Sequence, residues 1–96
     1  MPTEALLDVN VVIASVFGDH VMHVPARRFV ESLEHFYTTP TVQGGFLRFA
    51  TRQLKNERGE LQPPRLTMTE ALAKLRELTE SDGHVFVSDD APFTEL

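Results

Sequence analysis

Apolar residues fall along this chain in two kinds of block: short continuous runs, and longer stretches with helical spacing. Ala5-Leu6-Leu7 meets a lone carboxylate at Asp8, then Val9, a polar Asn10 and a further apolar run through Ala14. A short apolar run closing on one carboxylate predicts a buried strand over residues 6–9 whose end faces a cleft. Asn10 stands where it would cap a helix over about residues 11–17. Gly18-Asp19 breaks that helix. Pro25 suits the first turn of a second one, in which Ala26, Phe29, Val30 and Leu33 recur at helical spacing. Phe36-Tyr37-Thr38-Thr39 is β-prone and ends at Pro40, which reads as a second strand. Thr41 is the expected cap of a third helix with Phe46, Leu47, Ala50 and Leu54 on its apolar side. Gly44 and Gly45 weaken that helix, unless another backbone or a ligand comes close there.

Residues 56–66 read as a polar loop. Thr67-Met68-Thr69-Glu70 fits a capping box. Behind it Met68, Ala71, Leu72, Leu75 and Leu78 form the clearest helical period in the chain and are expected in the core. Asp82-Gly83 stops that helix, and His84 to Val87 form a third strand running into Ser88-Asp89-Asp90. Strands alternating with helices predict an α/β domain with a parallel sheet.

At 96 residues the chain is read as one small domain, 1–96, and 42% apolar content is enough for a core. The absence of Cys excludes a disulfide scaffold, a zinc ribbon and thiol catalysis, and fits a reducing cytoplasm. No apolar run approaches the ~18 residues of a membrane span. No basic region precedes an apolar stretch at the start, so no signal peptide is expected.

The net charge of −5 argues against a general nucleic-acid-coating protein. The charge is unevenly spread, however. Residues 48–65 carry Arg48, Arg52, Lys55, Arg58 and Arg65 against Glu57 and Glu60, a balance of +3 inside an otherwise acidic chain. Such a segment is either a solvated face or a phosphate-contacting edge.

Asp8 is the first candidate for chemistry. Ligands of open α/β sheets collect outside the carboxyl ends of the strands, and a carboxylate buried there needs a partner, for which a metal ion is well suited. The alternative is a helix cap. Asn10 either hydrogen-bonds toward Asp8 and its cleft or caps a helix. Thr41 either orients a water or substrate or caps a helix. Arg48 and Arg52 lie one helical turn apart, spaced to contact phosphate or an acidic partner segment. His20 and His23 lack a third His or Cys and are expected to be structural. Asp89 and Asp90 read as turn or cap residues that would approach Asp8 if their strands are neighbours.

Leu6-Leu7-Asp8-Val9-Asn10-Val11-Val12-Ile13-Ala14 resembles the opening of PIN-domain nucleases, specifically the VapC-type toxins of bacterial toxin–antitoxin pairs. Asp19-His20-Val21-Met22-His23 with Ala26-Arg27-Arg28, Pro40 through Arg48, and Glu70 through Asp90 agree with that family in order and spacing. The resemblance implies a PIN-like three-layer sandwich with a parallel sheet, truncated at the C-terminus. It also implies a ribonuclease that holds Mg²⁺ or Mn²⁺ through carboxylates. Hard cations take oxygen ligands, neutralise charge on phosphate and acidify water. Asp8 matches the first metal-binding carboxylate. Gln43 stands where many members carry an acid, and its amide oxygen can reach a metal or its water without adding charge. Asn10, Thr41, Arg48 and Arg52 are the implied substrate contacts. RNA, a cognate antitoxin and a second copy of the chain are the implied partners. The alternative is a catalytically inactive PIN-like module that binds an antitoxin or associates with itself.

Overall fold

The structure, a computed structural model, describes residues 3–88. Seven elements follow one another: β1 (Glu4–Leu6), α1 (Val9–Val16), α2 (His23–Ser32), β2 (His35–Thr38), α3 (Pro40–Thr51), α4 (Met68–Thr79) and β3 (His84–Phe86). The three strands form one parallel sheet in the order β1-β2-β3. Ala5 lies opposite Phe36, and Phe36 lies opposite His84. The expected α/β class and parallel sheet are therefore present.

Crossovers between neighbouring parallel strands are almost always right-handed. Two successive crossovers in one direction therefore put their helices on the same face of the sheet. The burial pattern agrees. Leu7, Phe36 and Thr38, which alternate onto one face, are each no more than 2% exposed. They join Val12, Ile13, Phe17, Phe46, Ala50, Ala71 and Leu75 in a core shared by all four helices, extended by Thr38 and closed at the α2 side by Val30 and Leu33. The other face carries Glu4, Leu6, Tyr37 and Val85 and is much more open. The described residues thus supply two of the three expected layers.

Several boundaries differ from the expectation, each for a local reason. β1 is shifted toward the N-terminus, and after Leu7 donates to the Tyr37 carbonyl at 2.9 Å the chain turns directly into α1. The cap of α1 is Asp8, not Asn10, which lies in the first turn. The cap of α3 is Thr39, whose hydroxyl accepts from the Val42 amide at 3.2 Å with Pro40 behind it at the helix start. Thr41 is therefore two residues too late to cap. The capping box of α4 forms as expected, with Glu70 closing back on the Thr67 amide at 2.9 Å.

The α4 stripe needs correction. Ala71 and Leu75 are buried, but Met68 and Leu72 are 51% and 45% exposed. With three strands and four helices, nothing among the described residues covers that side of α4. The expected loop 56–66 contains a small hairpin. Lys55 pairs with Leu61, Gln62 donates to the Leu54 carbonyl at 2.7 Å, and the Asn56 side chain accepts from the Arg58 and Glu60 amides. A single Asn organising two amides is a recognised turn device that composition alone does not reveal. At the other turn into a strand, Gly83 has φ of +90° and its carbonyl accepts from the Phe36 amide.

Candidate functional site

In a parallel sheet all strands end on the same side. The exits of β1 and β2 therefore place Asp8 and the first turns of α3 next to each other, at the edge where ligands of such sheets collect. The crossing of α1 and α3 is close. A Cβ at Gly45 would sit 3.0 Å from the Val9 Cγ2, so Val9 would have to give by a few tenths of an ångström. The expected approach of a backbone or a ligand is not what the two glycines meet: the neighbours are the side chains of Val9 and Arg48.

Asp8 is exposed and its side chain makes no capping hydrogen bond. Its backbone carbonyl takes the Val11 and Val12 amides instead. The carboxylate therefore has no local donor to satisfy and is available to a ligand. Arg48 leans back along α3, and its guanidinium nitrogens lie 3.5 Å from a Cβ built at Gly44 and 4.0 Å from one at Gly45. A positive charge is thus carried back over the glycine surface that Val9 also touches. Asn10 and Thr41 are both exposed on the first turns of α1 and α3. Asn10 lines a cleft with Ala14, His20 and Phe29, whereas Gln43 lines another with Leu72, Leu75, Arg76 and His84, so these two candidates do not share a cleft. Arg52 lies past the end of α3, where its guanidinium stacks 4.6 Å from the Phe49 ring.

Gln43 belongs to a chain of hydrogen bonds that the sequence did not reveal. Its amide nitrogen donates to the Thr38 hydroxyl at 3.0 Å, and that hydroxyl lies 2.6 Å from the His84 Nε2. The Thr38 hydroxyl, which accepts from Gln43, either donates to the ring nitrogen or accepts a second bond from it, according to the His84 tautomer. Burial holds the His84 pKa below the usual imidazole value, with the nearby Thr79 backbone opposing. This chain of bonds joins β2, α3 and β3. It fixes Gln43 with its amide nitrogen turned inward and leaves the amide oxygen without a donor among the described residues.

His20 and His23 are structural, as expected. The His20 Nδ1 accepts from the Met22 amide at 3.0 Å, and the His23 Nδ1 lies 2.8 Å from the Ala14 carbonyl. Asp89 and Asp90 lie outside the described residues. Among the described residues no three His, Asp or Glu side chains gather into a metal site. The donor types are those a hard cation takes. Asp8 offers unencumbered carboxylate oxygens and Gln43 a neutral oxygen, and Mg²⁺ is commonly held by one or two carboxylates with retained waters. Among the described residues no helix is long and apolar enough to cross a membrane.

No model of a protein family matches the chain. It is 34% identical over 90 residues, 92% of its length, to Ribonuclease VapC39 of Mycobacterium tuberculosis, in both strain CDC 1551 / Oshkosh and strain ATCC 25618 / H37Rv. The matched region spans 60% of the length of these relatives. Across almost its whole extent, the chain is thus similar in sequence to a protein named as a VapC-type ribonuclease.

Proposed function

We propose that the chain belongs to the VapC-type PIN-domain family and acts on RNA as a metal-dependent endoribonuclease of a toxin–antitoxin pair. One observation carries this reading: a carboxylate with no hydrogen-bond duty, at the exit of β1, in a chain 34% identical over 92% of its length to a ribonuclease. Asp8 holds a divalent cation, Mg²⁺ or Mn²⁺, and the amide oxygen of Gln43 reaches the cation or one of its waters. When bound, the cation neutralises charge on the scissile phosphate and acidifies the attacking water. Arg48 draws the phosphate toward the edge where Asp8 stands, by charge and by its planar array of donors. Asn10 and Thr41 are the proposed polar contacts to substrate. An antitoxin and a second copy of the chain are the proposed protein partners, and the cytoplasm the proposed location.

The test is cleavage of a structured RNA by the purified chain with Mg²⁺, with Mn²⁺ and with chelator, alongside Asp8→Ala. Cleavage lost in both chelator and Asp8→Ala supports the reading. Cleavage that survives the loss of Asp8 removes it.

A further inference from the structure

The far ends of α1 and α3 carry a second arrangement that the edge around Asp8 does not use. Phe17 follows α1, and Phe49 lies in the last turn of α3. Their rings meet edge to face with centroids 5.8 Å apart. Two guanidiniums cover this aromatic pair. Arg52 lies 4.6 Å from the Phe49 ring, and Arg65 lies 5.1 Å from the Phe17 ring and 5.5 Å from the Phe49 ring. Between them opens a cleft of about 230 Å³ lined by Phe49, Arg52, Leu54, Gln62, Pro63 and Arg65. The hairpin over residues 54–62 forms one wall, because the Gln62 amide is bonded to the Leu54 carbonyl.

The chemistry of this cleft is two-sided. Phe49, Leu54 and Pro63 give it an apolar floor, and Leu54 is 55% exposed. The rim is cationic. Arg52 has no carboxylate partner among the described residues. Arg65 has only a 3.5 Å contact to Asp19, between side chains that are 49% and 74% exposed, a pairing of little energetic weight. Lys55 and Arg58 continue the charge onto the hairpin, where Glu57 and Glu60 partly oppose it. Glu60 is already occupied with the Asn56 amide group at 3.5 Å. An acidic peptide would use the rim and leave the floor idle. A nucleotide uses both: its base packs on the apolar floor and stacked guanidinium, and its phosphate takes the free donors.

We infer that the Phe49–Arg52–Arg65 cleft, walled by the 54–62 hairpin, is an anchoring subsite for one nucleotide of single-stranded RNA, separate from the edge that carries Asp8. The inference rests on RNA as the substrate and adds where the strand is held. The eight residues of α1 separate the two places by about 12 Å along its axis, which a stacked strand rising ~3.4 Å per nucleotide spans in roughly four nucleotides. The cleft thus sets a register between the held nucleotide and the phosphate at Asp8.

The experiment is fluorescence anisotropy of a labelled short oligouridylate in chelator, across a salt series, so that binding is read without cleavage. Arg52→Ala with Arg65→Ala should weaken binding on the order of ten-fold or more. It should also lower the slope of log K against log salt by about 1.4, since each lost contact to a single strand is worth about 0.7. Arg52→Lys with Arg65→Lys, which keeps charge and fold, should retain the slope but lose the preference for the oligouridylate over an abasic oligonucleotide. Asp8→Asn should bind no more weakly than the parent chain. Unchanged affinity and slope in the alanine pair, with circular dichroism like the parent's, overturns the subsite and leaves the Asp8 cleavage test standing. Displacement of the oligouridylate by polyglutamate at equal charge concentration also overturns it, in favour of an acidic protein partner. Weakened binding in the alanine pair without any Asp8-dependent cleavage keeps the subsite and removes the nuclease.

Discussion

Two glycines with left-handed backbones allow a collision to be measured separately from backbone strain. Gly59 (φ +79°) and Gly83 (φ +90°) both adopt conformations that an L side chain resists. A Cβ at Gly59 would meet nothing within 4 Å, whereas one at Gly83 would lie 2.5 Å from the Glu34 carbonyl oxygen. Gly59→Ala should therefore cost only the left-handed penalty, about 1–2 kcal/mol. Gly83→Ala carries the same penalty plus a forced shift of the chain entering β2. That shift strains the bond from the Phe36 amide to the Gly83 carbonyl, now 2.8 Å, at about 1 kcal/mol, together with the packing of buried Phe36. We expect a total of about 3–4 kcal/mol for Gly83→Ala. For a domain of this size the ~2 kcal/mol difference corresponds to roughly 8–16 °C in Tm. Urea and thermal unfolding of both variants, followed by circular dichroism, provide the readout. Equal losses, within about 0.5 kcal/mol, would show that the β2 entry yields freely and that the close approach has no energetic weight.

Other expectations follow from the same contacts. Because burial lowers the His84 pKa, the unfolded chain takes up its proton first. The stability this group contributes is present above about pH 6.5 and is lost as pH falls from there through the folded-state value; His84→Gln should flatten that part of a urea-midpoint profile, and an unchanged profile would count against it. Thr38→Val, which strands the Gln43 amide and His84 Nε2, should cost about 1–3 kcal/mol in chemical denaturation. Thr67→Ala should cost about 1 kcal/mol, while the Glu70 carboxyl should stay below its ordinary value by NMR titration, because the Thr67 backbone amide that chiefly lowers it is retained.

The elements that rest on local signals were legible in the chain. The Thr67–Glu70 box, the Gly83 stop and the strand leading to Pro40 involve residues within a few positions of one another. The caps of α1 and α3 were misplaced by two residues each, because Asp8 and Asn10, like Thr39 and Thr41, are equally good capping types. What decides between them is where the strand pairing ends. Met68 and Leu72 show why periodicity is not burial: the stripe is helical, but its outer rows face a side that no described element covers. Asp8, Gln43 and Arg48 were singled out because they lie on motifs. Thr38 and His84 were not, since the bond between them joins positions 46 apart. The aromatic cleft was half visible as a basic segment. That Phe17 and Phe49 form its base depends on two helix ends meeting, which no window of sequence displays.

The placement of Asp8 has a consequence for how this edge can vary. Among the described residues no polar group holds the carboxylate: its backbone starts a helix, and that helix is seated against α3 where Val9 meets Gly45. Its location is therefore a matter of volume. Neighbouring surface charges can be exchanged with little movement of the carboxylate, whereas one methyl group added at Gly45 presses on Val9, which must give by a few tenths of an ångström. Attempts to retune this edge should leave position 45 alone and change the charged rim. Random variants that lose activity without losing their surface charges should concentrate along the α1–α3 seam.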